Sequence, residues 1–127
     1  MIAYNFMPRF ANLIASGTKS QAIRKHRRRP ARHANRGEII RLCISSRPPA
    51  SEFIREARCL EVLPIRMRLG PLGIREIMIA GRPFDPARWA EFARRDGFRD
   101  FADMSAWWLD MHGPGRFDGA IIRWEPI

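Results

Sequence analysis

Three side chains in this sequence are of the types that polar chemistry needs: Lys19, Arg24 and Asp96. A lysine holds a phosphate as a point charge, and a lysine buried in a cleft loses proton affinity and becomes a base or a nucleophile. The plain alternative for Lys19 is a solvated amine after a helix cap. Arg24 presents a planar fork that grips a phosphate or a carboxylate through two parallel hydrogen bonds. Its structural alternative is an ion pair with Asp96 or Asp100. Asp96 suits a general base, or a group that orients Lys19 or Arg24, and equally a structural aspartate at a helix end. If the chain is an enzyme, Lys19 and Asp96 are its catalytic candidates.

Lys19 and Arg24 belong to a longer basic stretch, residues 17–37 (GTKSQAIRKHRRRPARHANRG). Residues 1–37 carry nine Lys/Arg and no acid, hence +9 of the chain's net +10, whereas residues 38–127 carry fourteen basic and thirteen acidic side chains. The excess charge is therefore local, as on a phosphate-binding face, and binding through it falls steeply with salt. The candidate nucleic-acid contacts are Lys19, Arg24, Lys25, Arg27, Arg28, Arg29, Arg32 and Arg36, with a merely solvated loop as the alternative. Charge of this sign also suits an anionic membrane surface or an acidic protein. No apolar run approaches the roughly 18 residues of a membrane span. The N-terminus lacks the charged-then-apolar layout of an export signal, so the default location is cytoplasmic. The local charge makes RNA or another nucleic acid the expected partner, and no membrane is expected.

The remaining candidates read more plainly. His26 and His33 sit in a cationic setting that disfavours imidazolium and have no partner motif; His112 falls at a helix end. Cys43 and Cys59, each in an apolar strand-like setting, read as free buried thiols without the paired spacing of a metal site. No metal or cofactor is expected, and no Ser-His-Asp order or phosphate loop is visible. Trp107 and Trp108 are adjacent and cannot share one helix face. One reads as core; the other reads as packing, or as a lid or base-stacking platform over a cleft. Trp124 carries the same alternatives.

The elements that must position these residues can be read in order. Residues 1–5 fit a first strand. Pro8 suits the first turn of a helix whose apolar face is Phe10, Leu13 and Ile14, stopped by Gly17. Residues 20–24 read as extended, with Ser20, Ala22 and Arg24 on one side and Gln21 and Ile23 on the other. Residues 25–36 lack apolar periodicity and read as a loop that an anion would order. Residues 38–45 make a largely buried strand and 47–51 a break. Residues 53–68 alternate over the longest stretch, with Pro64 demanding a bulge or an edge. A turn at 70–73 leads to a strand over 74–80, with Ile77 and Ile79 on one face, and a break at 81–83. Asp85-Pro86 opens a helix with Trp89, Phe92 and Ala93 on its apolar side, ending at Gly97; Asp100 caps another, with Met104, Trp107, Trp108 and Met111. Residues 117–124 form a last strand, in which Gly119 permits a close approach. The 127 residues thus make one domain, α+β, built on a small, mostly antiparallel β-barrel with short helices packed against it.

The motif Gly17-x-Lys19-x-x-Ala22-x-Arg24 resembles the signature of ASCH domains, G-x-K-x-x-E-x-R, which in some branches reads G-x-K-x-x-T-x-R. Downstream, Ala93-x-x-Asp96-Gly97-Phe98, Met104, Trp107-Trp108, His112-Gly113, Phe117-x-Gly119 and Ile122-Arg123-Trp124 look like the small single-domain ASCH proteins of bacterial and prophage genomes. The resemblance covers nearly the whole chain. It implies a PUA-like β-barrel with helices over its openings, and a cleft beside the motif that takes RNA or a modified nucleoside. Some members are reported as ribonucleases, others as amidohydrolases acting on acetylated cytidine. Here Ala22 replaces the family's glutamate or threonine, and Thr18 and Ser20 fall at other points of the motif. That weakens the amidohydrolase reading, which needs the hydroxyl beside the lysine. RNA binding, which needs charge, shape and stacking, is untouched. The expected function is an RNA-binding domain that grips the phosphate backbone with the basic loop and a nucleobase in the cleft. The alternatives are a hydrolase, ribonuclease or modified-nucleoside amidohydrolase, centred on Lys19, and a module whose basic face meets an acidic protein.

Overall fold

A computed structural model describes residues 1–45 and 51–127 of the chain. Seven strands form one mixed sheet, accompanied by three short helices, in an α+β fold. The spine is β4 (Ser51–Gly70), twenty residues long. A strand of that length outruns each of its neighbours, so its edges are shared. Along one edge it pairs with β3 (Ile39–Ser45) and then with β5 (Gly73–Ile79); along the other it runs against β7 (Gly115–Pro126). β1 (Ala3–Phe6) joins β3 in parallel, β2 (Gln21–Lys25) joins β7, and β6 (Arg82–Pro83) joins β5, these last two antiparallel.

The alternation that predicts β4 is also what buries it. Ala57, Cys59, Ile65, Met67 and Leu69 are buried, while Arg58, Arg66 and Arg68 between them are exposed. Extra residues on β4 break the register near Ile54 against β3 and at Leu60 against β7, and such bulges bend a strand and increase its twist. Pro64 fits without breaking the strand. Its carbonyl accepts the Ala80 N–H at 2.9 Å, so its own nitrogen faces the same edge, just beyond the β5 ladder. Cys43 and Cys59 are free and buried.

The expected barrel does not close. Outward from β4 and β7 the sheet ends at β1 on one side and β2 on the other, and among the described residues no ladder joins the two. A side chain bridges the seam instead. Arg24 of β2 donates to the carbonyl oxygen of Asn5 in β1 at 2.6 Å and lays its guanidinium over the Phe6 ring at 4.6 Å. A guanidinium and a phenyl ring fill space that two backbones would need to approach to about 4.8 Å.

Helix starts follow their local chemistry. The 3-10 turn Pro8–Phe10 runs into α1 (Ala11–Ala15), which buries Phe10 and Ile14 and is followed by Gly17 at φ +84°. Asp85 accepts the Ala87 N–H at 3.0 Å ahead of the turn Pro86–Arg88 and α2 (Trp89–Arg95). Asp100 accepts the Asp103 N–H at 2.8 Å to start α3 (Phe101–His112). Ser105 docks α3 on the sheet by accepting the Ile74 N–H at 2.7 Å.

Three details depart from the sequence reading. The 81–83 break contains β6, folded back on β5 through a tight Ala80-Gly81 turn in which both residues have positive φ. Met111, assigned to the apolar side of α3, is exposed. The break read at 47–51 lies outside the described residues apart from Ser51, where β4 begins. Among the described residues no helix is long and apolar enough to cross a membrane.

Gly119 marks a close approach between two strands of the sheet. A Cβ there would collide with the Arg24 carbonyl oxygen of the neighbouring strand and reach the Phe117 ring at 2.8 Å. Gly119→Ala should therefore lower stability by about 1–3 kcal/mol, the usual cost of overpacking, seen as a drop in melting temperature. An unchanged melt would contradict the close approach of β2 and β7.

Candidate functional site

The segment between α1 and β2 is stitched from three sides. The Lys19 N–H donates to the Leu13 carbonyl at 2.9 Å, the Ser20 N–H to the Arg95 carbonyl at 2.9 Å, and the Ser20 carbonyl accepts the Trp124 N–H at 3.0 Å. These bonds turn Lys19 inward, where it is 3 % exposed. Its Nζ donates to the Asp96 carbonyl oxygen, lies 3.9 Å from Asp96 Oδ1, and stands 4.7 Å from the centre of the Phe10 ring. Asp96, at the C-terminal end of α2, is equally buried. Gln21 Nε2 donates to its Oδ1 at 3.3 Å, and the same nitrogen reaches the Phe92 carbonyl at 3.5 Å. Gly97 makes the approach feasible: it sits at φ +94°, and a Cβ there would meet Lys19 Cδ at 2.9 Å and Phe10 at 3.1 Å.

Burial shifts both charged groups toward neutrality. It pushes Lys19 down to about 8; Asp96 opposes that shift, while Arg24 and Arg9 add to it. Burial pushes Asp96 up to about 6, against the pull of Lys19, Gln21 and Arg24. Near neutral pH the two are an ion pair with proton affinities drawn toward one another, the arrangement acid–base chemistry uses. Arg24 is also lowered, by its own burial first.

Over this pair opens a cleft of about 260 Å³. It lies at the unclosed seam of the sheet, lined by Asn5 and Phe6 from β1 and by Ala22, Ile23 and Arg24 from β2. The opposite wall is aromatic. Phe10 packs edge-on to Phe98 with centroids 5.6 Å apart, Phe98 lies 5.7 Å from Trp107, and Trp107 stands at 76° to Trp108. The Nε1 atoms of both tryptophans are buried without a partner among the described residues. Met7 and Met111, both exposed, form the rim. Asp96 is the one acid lining the cleft.

The basic loop is held in place by its own side chains. Tyr4 is the hub: its buried hydroxyl accepts the Ala34 N–H at 3.1 Å and meets His33 Nδ1 at 3.0 Å. His33 Nε2 lies 2.8 Å from the Lys25 carbonyl, which only accepts, so that nitrogen carries the proton and Nδ1 receives the Tyr4 proton. Neutral His33 fits, and burial together with Arg27 lowers its pKa. Arg27 donates to the Arg32 and Ala3 carbonyls at 2.9 and 3.1 Å and stacks over Tyr4. Arg32 grips Glu38 bidentately at 2.7 and 2.9 Å, which holds that carboxyl well below the usual carboxylate range. The course of the loop is thus braced by contacts among its own side chains and with β1.

The sequence-predicted residues therefore separate into three groups. Lys19 and Asp96 meet at the floor of the cleft, and Arg24 stands at its mouth, paired with neither Asp96 nor Asp100. Arg27 and Arg32 turn inward to hold the loop. Lys25, Arg28, Arg29 and Arg36 are exposed, and their side chains make no hydrogen bond or ion pair among the described residues. Sequence reasoning missed Gln21 as a partner of Asp96, Phe6 and Phe98 as cleft walls, and Tyr4 as the loop's anchor. Gln21 lies inside the motif and was the findable one; nothing in local spacing points to Tyr4. Trp108 is buried and Trp107 half-buried, both against the cleft. No protein-family model, no curated protein and no solved structure matches this chain.

Two predictions follow the chemistry of these groups. A buried ion pair stripped of one partner is strongly destabilised, whereas its neutral replacement is often tolerated. Lys19→Met alone should cost on the order of 3 kcal/mol at pH 7, and Lys19→Met with Asp96→Asn should recover most of it in a denaturant melt. Lack of recovery would mean the pair is not the source of the loss. The pH sign can also be worked out for His33. Its folded pKa is lowered, so below its unfolded value near 6.5 the unfolded chain binds the proton first, and stability is lost as pH falls through that window. Asp96, raised by burial, acts in the opposite sense between its unfolded value and about 6. The readout is accordingly local: amide exchange at Ala34 should lose protection as pH drops below 6.5, once corrected for intrinsic rates. Constant protection down to pH 5 would contradict the tautomer assigned here.

Proposed function

We propose that the chain is a cytoplasmic RNA-binding domain of the ASCH type, with a PUA-like fold whose barrel is left open along the β1–β2 seam. The basic loop grips phosphates, and the cleft beside the motif takes one nucleobase. The observation that carries this reading is the aromatic cleft whose mouth residue, Arg24, is followed directly in the chain by the loop's exposed cations. Phe98 and Trp107 offer faces and edges to a flat base, and stacking on an aromatic side chain contributes about 1–3 kcal/mol per base. Arg24 adds a planar cation with N–H groups beyond the one given to Asn5. Lys25, Arg28, Arg29 and Arg36 supply the phosphate contacts. The preference for RNA over DNA rests on the resemblance of the Gly17–Arg24 motif and is not a matter of charge.

A second reading, a hydrolase, is favoured by one observation: a buried Lys19–Asp96 pair lies at the floor of the cleft, where burial shifts each group toward neutrality. Ala22 lends no hydroxyl at the point where the family carries its threonine. The nucleophile in that case is a water that gives its proton to the Asp96 carboxylate, with the Lys19 ammonium beside it as the positive charge and proton donor.

Nuclease-treated protein titrated with a short single-stranded RNA, and with DNA of the same sequence, at two salt concentrations tests both readings. Affinity should fall steeply with salt. Arg28→Ala with Arg29→Ala should flatten the log–log slope by about 1.4, given roughly 0.7 per phosphate contact on a single strand. Trp107→Ala should weaken binding at either salt. Salt-insensitive binding, or an unchanged slope in the arginine variant, would remove the leading reading. Cleavage of the RNA by wild type but not by the Lys19→Met/Asp96→Asn variant would establish the second.

A further inference from the structure

The cleft over Lys19 has a neighbour. A second depression, of about 350 Å³, lies on the far side of the same side chains: Ile23, Arg24, Trp107, Trp108 and Met111 line both. The second is completed by Lys25, His112 and Phe117. The shared residues come from β2 on one wall and α3 on the other, so the two depressions follow one another along the groove between that strand and that helix.

The second depression repeats the chemistry of the first. Its floor is aromatic: Phe117 lies 4.8 Å from Trp108 and 5.7 Å from the His112 ring. No acid lines it, while Arg24 and Lys25 do. Arg24 stands where the two depressions meet, with one guanidinium nitrogen held by Asn5. Lys25 is the next residue in the chain, and the exposed cations of the loop continue from it. A cation lies between two aromatic-floored hollows, and further cations lead away from the second. That order matches base, phosphate, base, phosphate along a single strand.

We infer that the groove holds two consecutive nucleotides of a single strand, one base in each hollow and the linking phosphate at Arg24 and Lys25. This rests on the nucleobase reading of the first cleft and adds a ligand class to it: a strand, not a free nucleoside. It also assigns a contact role to His112, whose ring stands edge-on to Phe117 in the second hollow.

The test compares a nucleoside 3′-monophosphate (Np) with the matching dinucleoside monophosphate (NpN), for each of the four ribonucleosides, by calorimetry or by quenching of tryptophan fluorescence. NpN carries less negative charge than Np, so electrostatics alone predicts that it binds no better. With two base sites, NpN of the preferred base should bind at least about tenfold tighter, and His112→Ala and, separately, Lys25→Ala should bring the ratio of the two affinities toward one. Both side chains are exposed, which keeps these variants folded. Equal affinities, or a ratio unmoved in both variants, would overturn the two-base groove while leaving a one-base cleft intact. No binding of Np or NpN for any base would overturn the nucleobase reading itself, and this inference with it.

Discussion

Burying a lysine and an aspartate together constrains everything around them. Neither charge survives alone in such a place, so each must be brought to the other with its remaining polar atoms answered. Here Lys19 Nζ is answered by the carbonyl and carboxylate of one residue, Asp96, and the carboxylate is shared with Gln21. The arrangement needs the end of α1, the start of β2 and the end of α2 at one point, with glycine at position 97 so that the lysine stem can pass. Apolar residues of similar size would fill this space with less penalty. A fold that keeps the charges keeps them where they face an aromatic cleft, and the resulting shifts in proton affinity are properties of the cleft as much as of the pair.

The open seam of the sheet serves the same end. β4 is long enough to carry β3 and β5 in series, and its bulges at Ile54 and Leu60 turn it so that β1 and β2 come near each other without pairing. Had their backbones met, a ladder would occupy the place of the cleft. Instead the Arg24 guanidinium spans the gap, hydrogen-bonded to Asn5 and stacked on Phe6. The sheet's missing ladder and the site's mouth are one feature. Helix α3, fastened to β5 through Ser105, supplies Trp107 and Trp108 from the other side.

The basic loop combines order with exposure. Tyr4, His33, Arg27 and the Arg32–Glu38 pair fix its course, while Lys25, Arg28, Arg29 and Arg36 are left toward solvent. Using some of its cations as internal braces lowers the entropy that a ligand would otherwise have to remove on binding. The cations that remain are then presented on a largely settled backbone next to Arg24.

By itself, the sequence determined the local structure and the charge. Asp85-Pro86 and Asp100 start helices because a side-chain carboxylate can cap the backbone N–H groups two or three residues on. The alternation through residues 53–68 makes a strand because side chains of period two can bury one face. The run of cations before Glu38 places the positive charge whatever the fold. Lys19, Arg24 and Asp96 could be singled out because few other chemistries suit their types and places. Only the tertiary structure decided which of them meet: Lys19 and Asp96 are far apart in the chain, and the bonds that join their segments run between elements. It also decided that the barrel stays open, since closure depends on how far two non-adjacent strands approach and not on the propensity of either. The division of the arginines into braces and free cations was likewise illegible, because Arg27 and Arg28 are chemically alike and differ only in which way the folded backbone turns them.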